Sequence, residues 1–136
     1  MSSLTIASRR ETDFVSFLEL NEFKVENITD NIYRVSRAQE LPVFISVNDG
    51  NMYFELDLGN VSAFADQKLY FDLMDLNTEI LPVSFGINNS HPDDPRLVLV
   101  ESRETGDLSD QELLAVFDAL ELAVDKAEAL LSTYIK

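Results

Sequence analysis

Cysteine is absent from this 136-residue chain, which excludes disulfides and thiolate chemistry. Histidine occurs once, at His91, and glycine and proline four times each. There is no GxGxxG, no glycine–lysine phosphate loop and no GxSxG nucleophile elbow. No apolar run approaches the roughly 20 residues that span a bilayer, and Met1–Arg10 lacks the apolar centre of a secretory signal. Basic charge is also scarce: 10 Lys and Arg face 25 Asp and Glu, a net charge of −15. Phosphate backbones and anionic lipid surfaces both call for a basic patch, so nucleic acid and the membrane are set aside as partners. This balance suits a soluble protein that resists self-association, or one whose partner is basic, and the lack of cysteine is compatible with the cytoplasm.

What is present is a folding core. Hydrophobic residues make up 46% of the chain and nine residues are Phe, enough for a single domain over residues 1–136, with 1–10 as a loose N-terminus. The central stretch Leu41–Leu58 alternates with period two. Val43, Ile45 and Val47 share one face, as do Met52, Phe54, Leu56 and Leu58, with Tyr53, Glu55 and Asp57 opposite. Between the two runs lies Asn48-Asp49-Gly50-Asn51, a hairpin turn in which glycine supplies positive φ.

Around this hairpin the patterning predicts further elements. A first helix covers Glu11–Leu20, capped by Thr12 or Ser8, with Phe14, Val15, Phe17, Leu18 and Leu20 inward. Lys24–Ile28 is a candidate short strand, and Asn31–Arg37 makes the hairpin a three-stranded meander. Ser62 is expected to cap a second helix over Ala63–Met74. Its Phe64, Leu69, Phe71, Leu73, Met74 and Leu76 cannot share one face, so either it is buried on two sides or Leu76–Leu81 has left helical geometry. A strand at Val83–Ile87 points Val83, Phe85 and Ile87 inward, and Asn88–Pro95 is a loop. Arg96–Ser102 is a strand apolar on both faces, hence in the sheet interior or covered by a second subunit. Ser109 and Glu112 fit the capping box of a long helix from Asp110 to Tyr134, striped by Leu113, Phe117, Leu120, Val124, Ala127 and Leu131. The fold class is α+β: an antiparallel sheet of about five strands packed by helices, in the order α-β-β-β-α-β-β-α.

Several polar groups invite a chemical reading. Asp118, Glu121, Asp125 and Glu128, spaced 3-4-3, align on one flank of the last helix. Such a row is a solvated face, a docking flank for a basic partner, or a set of oxygen ligands for a hard cation. His91 with Asp93 and Asp94 is an ordinary turn or a small acid–base or metal cluster. Tyr70, Asp72 and Asp75 can line a cleft. No catalytic, cofactor or metal residue is assigned. Leu114 and Leu122 project away from the stripe and Leu130 lies on its other shoulder. With Leu97, Val98, Leu99 and Val100 they form a candidate surface for a partner or a homodimer.

LPVFISV and the hairpin strand after it, LPVSFGI, RLVLVES and the acidic last helix form a succession that resembles the YjfI-like family of short bacterial proteins of unknown function. The resemblance covers Ile32–Ile135 and includes the pairs Leu41-Pro42 and Leu81-Pro82. That family looks like type III secretion chaperones: small acidic proteins of the same element order, usually dimeric, that hold extended segments of other proteins. Its members are often encoded beside phage-shock-protein-A-like coiled-coil proteins. The resemblance therefore implies a non-catalytic cytoplasmic adaptor, homodimeric, with no cofactor and with a partner of that envelope-stress class. It carries no functional residues over.

Overall fold

Residues 13–135 are described by a computed structural model. The elements are α1 (Asp13–Leu20), β1 (Lys24–Thr29), β2 (Ile32–Ser36), β3 (Val43–Asn48), β4 (Asn51–Gly59), α2 (Gln67–Leu76), β5 (Ser84–Asn88), β6 (Arg96–Glu104) and α3 (Asp110–Leu131). The caps proposed at Ser8 and Thr12 lie outside the described residues. The strands form one sheet in the order β1-β2-β3-β4-β6-β5, with every neighbouring pair antiparallel. The short stretch at Lys24–Ile28 is a full edge strand, which brings the sheet to six.

The β3–β4 hairpin closes as its sequence demands. Asp49 and Gly50 have φ of 50° and 79°, and Asn48 pairs with Asn51. A two-residue loop with both φ positive matches the right-handed twist of the strands it joins. The pairings that follow place Tyr33 beside Ile45, Ile45 beside Phe54, and Leu56 beside Leu99 on one face. That face carries the core. Phe14 and Leu18 of α1, and Leu113, Val116, Phe117, Leu120 and Ala123 of α3, pack against it in one cluster. A second cluster joins Leu69 and Leu73 of α2 to Val61, Leu97 and Leu131.

The second helix departs from expectation. It begins at Gln67 rather than Ala63, capped by Asp66, whose side chain accepts from the Leu69 amide at 2.8 Å. Ser62 instead donates its backbone N–H to Asn60 Oδ1 at 2.8 Å, within a turn. An aspartate is as good a cap as serine, and the Asn60 side chain holds the earlier residues in a turn. A 3₁₀ turn over Asn77–Glu79 does leave α-helical geometry before the strand. Two apolar positions predicted inward are exposed: Leu20 at the last position of α1, and Ile87 near the end of the edge strand β5. In α3 both capping-box hydrogen bonds are made at 3.1 Å, between Ser109 and Glu112. The loop after β5 turns through a hydrogen bond from the Asp94 amide to the His91 carbonyl at 2.8 Å.

Candidate protein-binding surfaces

A half-open groove of about 410 Å³ lies between α3 and the β2–β3 connection. Its floor comes from inward-facing strand residues and the helix stripe: Phe23, Val35, Val43, Leu56, Phe117 and Leu120. Leu41 and Val124 form its walls, and Glu40, Glu121, Asp125 and Glu128 its rim. The size is that of ligand pockets generally, and an apolar floor with polar groups at the margin is how such pockets bind.

Arg37 bridges the two walls. Its guanidinium lies 4.8 Å over the Phe23 ring and donates to Glu40 at 3.2 Å, Asp118 at 3.2 Å and Glu121 at 3.4 Å. One cation thus serves three carboxylates. The hydrogen bond and negative charge of Glu40 hold the Glu121 carboxyl above its ordinary range, with burial and Asp125 adding and Arg37 opposing. The acidic row of α3 is therefore the crowded margin of a groove, a placement helical spacing alone does not reveal. The other wall, Arg37 to Leu41, comes from the short turn into the hairpin at Ala38–Glu40, which sequence reasoning places without assigning it to a site. Its one signal is a basic residue followed by an acid and an exposed leucine between two strands.

The residues proposed as an interface divide. Leu97 and Leu99 face the helices and are fully used by the core. Val98 is buried on the other face, where its Cγ2 lies 3.8 Å from the position a Cβ on Gly86 would take, and Val100 is half-buried. The two-sided apolar pattern thus belongs to a strand second from the sheet edge. Leu114 and Leu130 pack on the first and second clusters respectively. Leu122 alone of the helix leucines is well exposed, and with Leu81 it lines a small recess floored by Ala119 and Ala123.

A further apolar face was not anticipated as a surface. Phe71 and Met74 of α2 are 70% and 72% exposed, and Tyr70 is 42% exposed. Of the two alternatives for α2, burial on two sides is not the one found: Leu69 and Leu73 are buried, Leu76 is half-buried against the first cluster, and Phe71 and Met74 stay exposed. Tyr70 and Asp75 do not join Asp72 in a cleft. Asp72 is tied to Lys68 at 2.8 Å and to the Tyr134 hydroxyl, fastening α2 to the end of α3.

In the His91 loop, Asp94 accepts from Asn60 at 2.7 Å and from Arg96 at 3.2 Å, and these bonds hold its carboxyl below its ordinary range. Asp94 thereby joins this loop to the end of β4. Among the described residues no group of three or more His, Asp or Glu is arranged to hold a metal ion. No helix among them is long and apolar enough to cross a membrane.

The profile of the CesT_Tir_1 family of type III secretion chaperones matches residues 8–136. The chain belongs to this family. Its fold is shared with solved structures of low sequence identity. One is a chain of the heterodimeric ExoU–SpcU complex from the type III secretion system of Pseudomonas aeruginosa, at 19% identity and a TM-score of 0.68, covering 85% of this chain and 94% of that one. A second is the Yersinia pestis type III secretion chaperone SycH, solved with a stable fragment of YscM2, at 21% identity and a TM-score of 0.57, covering 93% and 99%. A third is YbjN from E. coli, at 17% identity and a TM-score of 0.61, covering 98% and 92%. No curated protein matches the chain in sequence. The α+β architecture expected from the sequence is thus the architecture of the CesT_Tir_1 family, and the fold is a chaperone-like, protein-binding one.

Proposed function

We propose that this chain is a non-catalytic, cytoplasmic adaptor that holds a segment of a partner protein in the α3 groove and pairs with a second copy of itself through α2. The groove carries the reading: a cleft over buried apolar side chains, with Leu41 exposed on its wall and a margin of carboxylates of which Arg37 pairs with three. SycH, solved in complex with a fragment of another protein, shares the fold and supports a role in holding protein segments. The exposed Tyr70, Phe71 and Met74 supply the apolar face that a twofold contact needs, since one helix face can meet its own copy. For the partner, the YjfI-like resemblance supports a phage-shock-protein-A-like coiled-coil protein, whose helices offer the apolar stripe that a groove of this kind receives.

The test is co-purification with a phage-shock-protein-A-like protein of the same host, comparing the wild type with Leu41→Asp. Leu41 is 43% exposed on the groove wall, so the change spares the core. Capture by the wild type and its loss in the variant is the expected result. Equal capture by both would remove the groove from the reading.

A further inference from the structure

The groove is out of electrostatic balance, and the imbalance describes its occupant. Five carboxylates, of Glu40, Asp118, Glu121, Asp125 and Glu128, stand on or beside its margin. Among the described residues one guanidinium, Arg37, serves three of them. The single lysine of α3, Lys126, is directed away, toward Glu79 at 4.0 Å. Carboxylates gathered above an apolar floor repel one another, and a second cation would relieve them.

We infer that the groove selects a basic amphipathic segment of a partner protein, one that lays apolar side chains along Leu41 and Val124, over the buried Phe23, Phe117 and Leu120, and sets Lys or Arg against Glu121, Asp125 and Glu128. This rests on the proposed peptide-holding function and specifies its partner's chemistry. The four carboxylates of the groove flank of α3, from Asp118 to Glu128, span ten positions, about 15 Å at the helical rise. That length matches roughly ten residues of a bound helix, or four to five of an extended strand. Two or more cations spread over this distance meet the whole row, with apolar residues between them facing the floor. Arg37 already displays the mode: a guanidinium over an aromatic ring that also donates to carboxylates.

The probe is a fluorescently labelled 14-residue helical peptide of leucine and lysine, followed by anisotropy. A second probe replaces every lysine with glutamine. The groove variant is Glu121→Gln, Asp125→Asn, Glu128→Gln. Because any acidic protein attracts a cationic peptide, the control removes three exposed carboxylates elsewhere: Asp30→Asn, Asp49→Asn, Asp93→Asn. The groove variant is expected to weaken the lysine probe by roughly tenfold, the sum of three exposed ion pairs, and the control variant by less than about twofold. Equal losses in the two variants would overturn the inference, because the attraction would then be general. So would a glutamine probe that binds as tightly as the lysine probe. In that case, binding lost on Leu41→Asp keeps the peptide-holding function and discards only the basic partner. Binding by both probes that ignores Leu41→Asp discards both.

Discussion

Replacing Arg103 with methionine should destabilise the protein at neutral pH and much less so in mild acid. The cause is Glu101, which β6 places on the inner face of the sheet, in register with Phe54. Its side chain is 2% exposed. One carboxylate oxygen accepts from Arg103 Nη1 at 3.0 Å, and the other, Oε1, is buried with no hydrogen-bond partner. Burial raises the carboxyl pKa and Arg103 partly restrains the rise. The native state therefore holds this proton more tightly than the unfolded chain, whose glutamates titrate near about 4.3. For an acid shifted in this direction, stability is greatest below the unfolded value and declines as pH climbs through the folded one.

Arg103→Met takes away the cation and leaves a buried charge with nothing to compensate it. The expected cost at pH 7 is about 1–3 kcal/mol, the penalty for orphaning a buried polar group. The partial exposure of Arg103 argues for the lower half of that range. Arg103 also donates to Glu112 at 2.9 Å, an exposed pair worth at most about 1 kcal/mol. Urea unfolding of wild type, Arg103→Met, Glu101→Gln and the double variant, at pH 7 and at about pH 4, below the unfolded glutamate value, separates these contributions. Glu101→Gln alone should match or exceed wild-type stability at pH 7. In its background Arg103→Met should cost only the Glu112 contact. A penalty equal at both pH values, or undiminished in the Glu101→Gln background, would refute the reasoning.

Two other outcomes follow from the packing. Phe117→Ala should cost about 3–5 kcal/mol in chemical unfolding, because this ring is buried with centroids 4.7 Å from Phe23 and 6.1 Å from Phe54; a loss below about 1 kcal/mol would mean that the core collapses around the gap. If the chain pairs through α2 as proposed, Phe71→Ser with Met74→Ser should halve the mass in light scattering without lowering the unfolding midpoint of the monomer; a mass the same as wild type would remove α2 from the proposed contact.

Much of the scaffold follows from local rules that neighbours along the chain can enforce. Asp49-Gly50 admits the positive φ of a tight hairpin, the alternation from Val43 to Leu58 decides which side chains turn inward, and Ser109 with Glu112 closes its own helix end. Where two local rules compete, the sequence is ambiguous: Ser62 and Asp66 are both good caps, and the turn held by Asn60 gives the helix to Asp66. Surfaces are a different matter, because exposure depends on what tertiary packing leaves uncovered. Phe71 and Leu69 are equally apolar, and only the position of α2 over Val61 and Leu97 sends one outward and the other into the core. Leu97–Val100 is apolar on both faces, and the tertiary structure decides that Leu97 and Leu99 are the pair that enters the helix-packed core. The acidic row of α3 is plain in the sequence, but its meaning depends on Arg37 and Leu41, some eighty residues earlier, which the sheet brings against it. Charge, periodicity and turn chemistry are properties of the chain; a groove is a property of two elements meeting, and the long-range pairing of β2, β3 and α3 decides that.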